Sequence, residues 1–371
     1  MKLKAANRIV IKCGSALLVD SQNGIVRNDW LSSLAQDIAK LRAQKKDILI
    51  VTSGAVALGR KALKLKSGKL KLEEKQAAAA TGQVGLMQAW QDALGQFDIV
   101  CAQSLLTAYD TERRRNWLNA RATFESLFSF GAIPIVNEND TIATEEIRYG
   151  DNDRLAARVA QMIGADALVL LSDIDGLYDA NPRENPNAKH LPIVSQITPQ
   201  IEAMAGGANS ASGVGTGGMR TKIDAAIIAT SAGANVYISD GREQNPIARI
   251  LDGEKHTIFT AHTDPKAARI SWLSHNLKPQ GAFIIDAGAV KALKKGGSLL
   301  PVGVKSIDGS FERGDAIAIK TEDGQIIARG LSAYNSADAA MIIGKKSTEI
   351  EEILGYSGRP ALVHRDDMVL N

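Results

Sequence analysis

Cysteine is scarce in this sequence, with Cys13 and Cys101 as the only two among 371 residues. They stand in unrelated contexts, so neither a disulfide framework nor a metal-binding motif can be read from them. Such sparing use of cysteine is typical of a reducing compartment. The five histidines are scattered and form neither a zinc motif nor a recognisable catalytic triad.

Long apolar runs and a strong charge of one sign are also absent. No apolar stretch approaches the roughly 18–20 residues that a membrane-spanning helix requires. Lys12 interrupts the apolar stretch near the N-terminus, and no small-residue cleavage site follows, so we expect no signal peptide. The net charge of +3 predicts no general attraction to nucleic acid or membrane. We therefore expect a cytoplasmic protein with no membrane partner.

Aromatic residues make up only 5% of the chain, whereas glycine is abundant at 33 residues. This balance favours an α/β architecture with many tight turns over an aromatic-rich sandwich. Several short aliphatic runs do not alternate cleanly between apolar and polar residues. Such runs indicate strands that are buried on both faces, and hence a parallel sheet. The predicted strands are Ile9–Ile11, Ile48–Val51, Ile99–Val100, Ile133–Val136, Leu168–Leu171 and Val236–Ile238.

Helical patterns separate these strands. Apolar residues recur with a period of 3.6 over Trp30–Leu41, and similar patterns cover Arg154–Ile163 and Lys222–Ala232. Alternating strands and helices predict βαβ units in an open, doubly wound sheet. Ligands of such sheets bind outside the carboxyl ends of the strands, so the residues that follow each strand are the candidate functional residues.

The pattern changes near residue 262 and becomes typical of an all-β module with a small helix or two. We predict an α/β domain over residues 1–262, a linker over residues 263–279, and a small mostly-β domain over residues 280–360. The short alternating segments behind the last assignment are Ala282–Ile285, Gly303–Ile307 and Ala316–Ile319.

Two early loops suit phosphate binding. Lys12 and Gly14 follow the first strand, where an ammonium and bare backbone N–H groups can meet a phosphate. A solvated lysine before a turn is the alternative. Ser53 and Gly54 follow the second strand and open a helix over Ala55–Leu63, whose N-terminus can hold an anion. A plain serine N-cap is the alternative there.

Acidic and amide side chains are dense after the strand at Ile133–Val136. Residues 137–140 read Asn-Glu-Asn-Asp, and residues 150–153 read Gly-Asp-Asn-Asp. Asp151 or Asn152 is a good N-cap for a helix that starts at Arg154, but capping does not need so many polar groups. Their density suits recognition of the ammonium and carboxylate of an amino acid, or of a magnesium–phosphate group.

A glycine-rich stretch precedes the last helix of the first domain. Gly213, Gly215 and Gly218 satisfy the G-x-G-x-x-G pattern, but the Gly- and Ser-rich residues before them cannot form the buried strand that a dinucleotide site requires. This disfavours a dinucleotide oxidoreductase. The Walker pattern fails as well, because Met219 follows Gly218 where a lysine is needed. A flexible glycine loop with Lys222 in the first helical turn still indicates phosphate binding.

Taken together, the chain resembles the glutamate 5-kinases of the amino acid kinase superfamily, with the C-terminal PUA domain of many bacterial members. The resemblance covers nearly the whole chain and implies a three-layer α/β/α sandwich with a mainly parallel sheet, plus a small mostly-β PUA domain. Seven motifs in order carry it: IVIKCGS (9–15), IVTSGAV (50–56), VNEND (136–140), GDND (150–153), GTGGMRTK (215–222), GSLLPVG (297–303) and VHRDDM (363–368).

The resemblance implies that the γ-phosphoryl group of ATP passes to the γ-carboxylate of L-glutamate, giving L-glutamyl 5-phosphate and ADP. This is the first step toward proline, with Mg²⁺ as cofactor. An ionised carboxylate needs no strong general base, so the lack of a catalytic histidine is expected. Cations must instead offset the repulsion between two anions, about 4 kcal/mol for unit charges about 4 Å apart at an effective dielectric of about 20.

The same resemblance assigns roles to individual residues. Lys12 and Lys222 would act on the phosphoryl group from opposite sides, and Asp153 would hold these lysines in place. The substrate-binding residues would be Ser53, Gly54, Asn137, Asp140 and Asn152. The ATP-binding residues would be Lys12, Gly14, Ser172, Asp173, Thr216, Gly217, Gly218, Met219, Arg220, Thr221 and Lys222. Threonine is common in the family where this chain has Ser172, and serine keeps the hydroxyl. No side chain is assigned to the metal.

Partners and alternatives remain open. The resemblance implies a homo-oligomer, dimer or tetramer, with a glutamyl-phosphate reductase as a candidate downstream partner. One alternative is a kinase of the same fold that acts on N-acetylglutamate or aspartate, although Asp140 favours a free α-amino group. Another is an RNA-binding regulator with a vestigial kinase domain. Residues 278–371 carry 12 basic and 12 acidic side chains, so an RNA contact through the PUA domain lacks the usual basic excess.

Overall fold

The computed structural model describes residues 3–20, 23–66, 68–142, 152–205, 218–268 and 279–370. It divides into two compact units. The first comprises Met1–Arg113 and Asn119–Pro265, and the second comprises Arg114–Leu118 and Lys266–Asn371. The domain boundaries given above from sequence stay a prediction. None of the described helices is long and apolar enough to cross a membrane.

A mainly parallel sheet of eight strands forms the centre of the first unit. The strands of this unit are β1 (Arg8–Cys13), β2 (Asp47–Val51), β3 (Cys101–Leu106), β4 (Ile133–Glu138), β5 (Ala167–Ser172), β6 (Leu177–Tyr178), β7 (His190–Leu191), β8 (Ile193–Val194), β9 (Asn235–Asp240) and β10 (His256–Phe259). The sheet order is β3-β4-β2-β1-β5-β9-β10-β8, while β6 and β7 form a separate hairpin. All neighbours in the large sheet are parallel except β9 and β10, which confirms the predicted sheet.

Helices cover both faces of this sheet. The helices of this part of the chain are α1 (Ser15–Leu18), α2 (Asn28–Ala43), α3 (Ala55–Ala62), α4 (Leu72–Gly95), α5 (Ala108–Glu112), α6 (Arg114–Ser129), α7 (Asn152–Ile163), α8 (Pro199–Met204), α9 (Met219–Ser231) and α10 (Pro246–Leu251), with a 3-10 turn at Leu3–Ala5. The first residues of α6, Arg114–Leu118, belong to the second unit. Ile9 and Ile11 of β1 pack into the core with α2 and α4. Val10 points to the opposite face and is equally buried, and α7 contacts the sheet and α9. The predicted α/β/α layers are thus confirmed.

One predicted strand is wrong. The chain at Ile99–Val100 is not extended into the sheet, and the strand lies further on, at β3. Because β3 is the edge strand and its side chains are mostly only half-buried, it does not show the continuous apolar run of the central strands.

A five-stranded sheet forms the second unit, as the mostly-β prediction requires. Its strands are β11 (Gly281–Ile285), β12 (Val304–Gly309), β13 (Ala316–Thr321), β14 (Ile326–Leu331) and β15 (Met368–Leu370), in the order β12-β11-β13-β14-β15. Its helices are α11 (Ala287–Lys294), α12 (Ser336–Ile342) and α13 (Ile350–Leu354), with 3-10 turns at Pro301–Gly303, Ser347–Glu349 and Arg365–Asp367. Phe283 and Phe311 meet edge to face at its core, with ring centroids 5.4 Å apart.

Helices α3 and α4 of the first unit touch backbone to backbone through two glycines. A Cβ at Gly82 would lie 1.9 Å from the carbonyl oxygen of Ala55, and one at Gly59 would lie 1.7 Å from the carbonyl oxygen of Ala78. No side chain fits at these distances, so only glycine permits the approach. The contact fixes the start of α3, and with it the loop after β2, against α4.

We expect Gly82→Ala to lower the free energy of unfolding by at least about 1–3 kcal/mol, because the new methyl group overpacks this contact. Gly85 lies in the same helix with open space around its Cα. Gly85→Ala should therefore raise the free energy of unfolding by up to about 1 kcal/mol through helix propensity. Urea unfolding followed by circular dichroism measures both changes. Similar effects at the two positions would contradict the close packing.

Candidate active site

A buried carboxylate joins two buried lysines at the carboxyl edge of the sheet. Lys12 Nζ lies 2.6 Å from Asp153 Oδ1, and Lys222 Nζ lies 3.0 Å from Asp153 Oδ2. Lys12, Asp153 and Lys222 are 4%, 0% and 4% exposed. Thr221 donates its hydroxyl to Asp153 Oδ2 at 3.2 Å. Each lysine therefore binds a different oxygen of one carboxylate.

Three separate elements position this cluster. Lys12 lies near the end of β1, Asp153 in the first turn of α7, and Lys222 in the first turn of α9. Helices α7 and α9 pack against each other, and α7 also contacts β1. The cluster therefore forms only when the sheet and both helices are assembled. The alternative in which Lys12 is a solvated lysine is wrong, whereas a catalytic role for the three residues stays a prediction.

The charges of the cluster favour the binding of an anion. Burial by itself raises the pKa of the Asp153 carboxyl, but the charges of Lys12 and Lys222 and their hydrogen bonds outweigh this and hold the pKa below its ordinary value. The carboxylate is therefore ionised throughout the neutral range. The two ammonium groups bring positive charge into a buried position, and positive charge there attracts a negatively charged ligand such as phosphate.

A network of amide side chains lies beside the cluster. Asn137 Oδ1 accepts hydrogen bonds from the backbone N–H of Glu138 at 2.9 Å and from Asn152 Nδ2 at 2.8 Å. Asn152 Nδ2 also donates to the carbonyl oxygen of Thr52 at 2.5 Å and to the hydroxyl oxygen of Ser53 at 2.8 Å. Asn152 lies inside α7, so the prediction that it caps a helix starting at Arg154 is wrong, and Asp151 lies outside the described residues.

Three residues of this network were not predicted from the sequence. Gln83 Oε1 accepts a hydrogen bond from Asn137 Nδ2 at 2.8 Å. Trp90 Nε1 donates to Thr52 Oγ1 at 3.0 Å. Thr52 directly follows β2, and this position after a strand could have identified it. Gln83 and Trp90 lie within α4, where nothing in the sequence indicates a contact with the carboxyl edge of the sheet.

The two glycine turns of the site differ in conformation. Gly54 has a φ of +110° and precedes the first residue of α3 as its N-cap, and only glycine adopts this backbone conformation readily. The alternative in which Ser53 is a plain N-cap is therefore wrong. Gly14 has extended backbone and precedes α1. A Cβ on Gly14 would lie 3.9 Å from Lys12 Nζ, which places this turn directly beside the cluster.

The other predicted residues lie at or just after the ends of β4 and β5. Ser172 ends β5 and donates its hydroxyl to Asp173 Oδ1 at 3.3 Å. Arg183 binds Asp173 at 2.9 Å. Burial raises the pKa of the Asp173 carboxyl, but the hydrogen bond and charge of Arg183 contribute to a net lowering. Asp140 lies half-buried in the turn after β4.

The glycine loop enters α9 at Gly218, with Met219, Arg220 and Thr221 in the first turn. Arg220 pairs with Glu202 at 3.3 Å and with Asp224 at 3.1 Å. Thr216 and Gly217 lie outside the described residues. Roles in nucleotide binding for this loop stay predictions.

No group of three or more metal-ligating side chains is found within the described residues. The carboxylate of Asp153 is already bound to two ammonium groups. Mg²⁺ requires oxygen ligands, commonly one or two carboxylates together with the phosphates of the substrate. Asp153 therefore does not fit the role of a metal ligand.

Comparison with known proteins identifies the family. Residues 7–240 match the amino acid kinase family, and residues 281–354 match the PUA domain. The chain belongs to the amino acid kinase family. This amino acid kinase is 57% identical over 369 residues to proteins named glutamate 5-kinase from Brucella ovis and Brucella abortus, covering 100% of this chain and 97% of each relative. The predicted family and the C-terminal PUA domain are thereby confirmed.

A solved structure of lower similarity is the UMP kinase from Ureaplasma parvum. It is 16% identical, with a TM-score of 0.48, and the match covers 68% of this chain and 98% of that chain.

We expect Asp153→Asn to lower the free energy of unfolding by about 3–5 kcal/mol near pH 6, because it leaves two buried ammonium groups without their counter-charge. The lowered pKa gives the sign of the pH dependence. The stability that the ionised Asp153 carboxylate contributes is fully present at pH values above the pKa of this carboxyl in the unfolded chain, about 3.9. It is lost as the pH falls through the lower pKa of the same carboxyl in the folded protein.

Urea unfolding of Asp153→Asn and wild type at about pH 6, 5 and 3.5 measures this difference. It should be the same at the two higher values and smaller at the lowest. Asp252→Asn, at an exposed position, serves as the control and should have little effect at any pH. A difference that already disappears at about pH 5 would contradict a lowered pKa for Asp153.

Proposed function

We propose that this amino acid kinase transfers the γ-phosphoryl group of Mg–ATP to the γ-carboxylate of L-glutamate, giving L-glutamyl 5-phosphate and ADP, the first step of proline biosynthesis. The observation that carries the proposal is the pair of buried lysines bound to the single carboxylate of Asp153. The 57% identity to proteins named glutamate 5-kinase over the whole chain supports it.

The reaction joins two anions without a proton transfer. One oxygen of the γ-carboxylate forms a bond to the γ-phosphorus of ATP, while the bond from that phosphorus to the bridging oxygen of the β-phosphate breaks. The leaving group is ADP. A glutamate carboxyl group has a pKa of about 4.3 and is ionised at neutral pH, so the enzyme needs no base to activate it.

Lys12 and Lys222 supply the positive charge that this reaction needs. They reduce the repulsion between the carboxylate and the phosphates, and they stabilise the negative charge on the oxygens of the transferring group. Asp153 is a positioning residue, because its two oxygens fix where the two ammonium groups lie. An arrangement that is fixed before the substrates bind costs little reorganisation during the reaction.

The amide network forms the acceptor site in this proposal. The Ser53 oxygen accepts a hydrogen bond from Asn152, so the Ser53 hydroxyl can donate its own proton to a carboxylate oxygen of glutamate. Asp140 binds the α-ammonium group, which favours L-glutamate over N-acetylglutamate. Asn137 holds Asn152 in place at 2.8 Å, and Gly54 brings backbone close to the ligand.

A second set of residues forms the ATP site in this proposal. It comprises Gly14, Ser172, Asp173 and the loop from Thr216 to Lys222. Mg²⁺ accompanies the nucleotide as its phosphate complex, since the Asp153 oxygens are bound to lysines. The homo-oligomeric state, the reductase partner and an RNA contact of the PUA domain stay predictions.

A coupled assay of ADP release tests the acceptor. Mg–ATP is offered with L-glutamate, N-acetyl-L-glutamate, L-aspartate or a nucleoside monophosphate, and hydroxylamine traps any acyl phosphate as a hydroxamate. We expect ADP and hydroxamate in equal amounts with L-glutamate alone. Turnover with a different acceptor would overturn the proposed substrate, and no turnover with any acceptor would overturn the kinase proposal.

We expect Lys222→Ala to lower kcat by about 10²–10³-fold, because it removes one preorganised charge from the transferring group. The KM for L-glutamate should change much less. Lys40→Ala is the matched control, because Lys40 is an exposed lysine of α2 whose side chain is 60% accessible. Steady-state kinetics with both substrates measure the effect. A kcat within a factor of about three of wild type would contradict the assigned role.

A further inference from the structure

The orientation of the amide network is fixed by two backbone groups. The N–H of Glu138 can only donate, so the atom of Asn137 that it meets at 2.9 Å must be the amide oxygen. The carbonyl of Thr52 can only accept, so the atom of Asn152 that it meets at 2.5 Å must be the amide nitrogen. Neither side-chain amide can be turned over without losing one of these bonds.

The same constraint determines how Gln83 lies. Because Asn137 Oδ1 is held by the backbone, its Nδ2 faces Gln83 and needs an acceptor there. It finds Gln83 Oε1 at 2.8 Å. The amide nitrogen of Gln83 must then point away from Asn137. This nitrogen is buried, and it has no hydrogen-bond partner among the residues that the structure describes.

A buried N–H group without a partner costs free energy, and nearly all such groups in folded proteins are satisfied by protein, water or ligand. Gln83 lies next to Gly82, the residue that holds the start of α3 against α4. Through Asn137 and Asn152 it is also connected to Ser53 by a continuous series of hydrogen bonds. The unsatisfied donor is therefore part of the same hydrogen-bond network as the Ser53 hydroxyl.

We propose that Gln83 is a further substrate-binding residue, whose side-chain N–H donates to a carboxylate oxygen of the acceptor amino acid. This inference rests on the proposed function of the site. Only an acceptor group can satisfy this nitrogen, since an amide nitrogen has two hydrogens and cannot accept. A carboxylate is the strongest acceptor in glutamate, and a neutral donor binds it without adding charge beside Lys12 and Lys222.

Gln83→Glu tests this contact with little change in shape. Glutamate keeps an oxygen for Asn137, but at neutral pH it replaces the N–H donor with a second, negatively charged oxygen. We expect the KM for L-glutamate to rise by about tenfold or more, which corresponds to the loss of one good hydrogen bond. The KM for ATP should stay within about twofold of wild type. Gln91→Glu, an exposed position on the same helix, makes the same charge change and should leave both values unaltered.

Two readouts separate substrate contact from a structural role. Gln83→Met, which has similar volume and no donor, should raise the KM for L-glutamate at every pH. Thermal unfolding of each variant checks that it is folded.

The inference is overturned if both Gln83 variants, once shown to be folded, keep a KM for L-glutamate within about twofold of wild type. If neither variant folds, nuclear magnetic resonance of wild-type protein labelled with ¹⁵N-glutamine decides. The side-chain amide of Gln83 should shift on addition of L-glutamate, and an unchanged resonance would overturn the inference. Failure of the proposed function is distinct, because wild type would then show no turnover with L-glutamate at all.

Discussion

The two hydrogen-bonded ion pairs of Asp153 are the interaction on which the site depends. A lysine ammonium does not remain charged in a buried position without a partner, because the loss of hydration is too costly. One carboxylate supports two lysines here by using a separate oxygen for each. Both ammonium groups are thereby kept charged and fixed in position next to the carboxyl edge of the sheet. A lysine on the protein surface would have neither the fixed position nor the low-dielectric surroundings that make the charges of Lys12 and Lys222 effective.

The amide network depends on a different constraint, which is the close contact of two helices. Gly82 allows α4 to touch the start of α3, and this brings Gln83 and Trp90 to the carboxyl edge of the sheet. Their side chains then hold Asn137 and Thr52. Lys12 and Lys222 come from β1 and α9, so the two halves of the site are built by separate parts of the fold and meet at α7. That helix contributes Asp153 to one half and Asn152 to the other.

Much of the fold could be predicted because its central strands are buried on both faces. The apolar runs of β1, β2, β4, β5 and β9 follow from that burial. The edge strand β3 was displaced in the prediction, since a half-buried strand has no such run. The short strands β8 and β10 were not predicted, because a few residues pairing at the far edge of the sheet carry little pattern of their own.

The site could be predicted only in part. The place of Lys12 follows from its position at the end of a strand, and the grouping of Lys12 with Asp153 and Lys222 came from the resemblance to a known family. Gln83 could not have been found in either way. Its role depends on how α4 is rotated against the sheet, and this rotation is set by the tertiary contact at Gly82, which leaves no periodic signal in the sequence.

The most direct test of the central claim is a crystal structure with Mg–ADP, L-glutamate and a planar metal fluoride in place of the transferring phosphoryl group. The account predicts that Lys12 Nζ and Lys222 Nζ each lie about 3 Å from the fluoride ligands, on opposite sides. Both lysines should still contact Asp153. A structure in which either ammonium group stays beyond hydrogen-bonding distance of the metal fluoride would contradict the claim that this pair stabilises the transferring group.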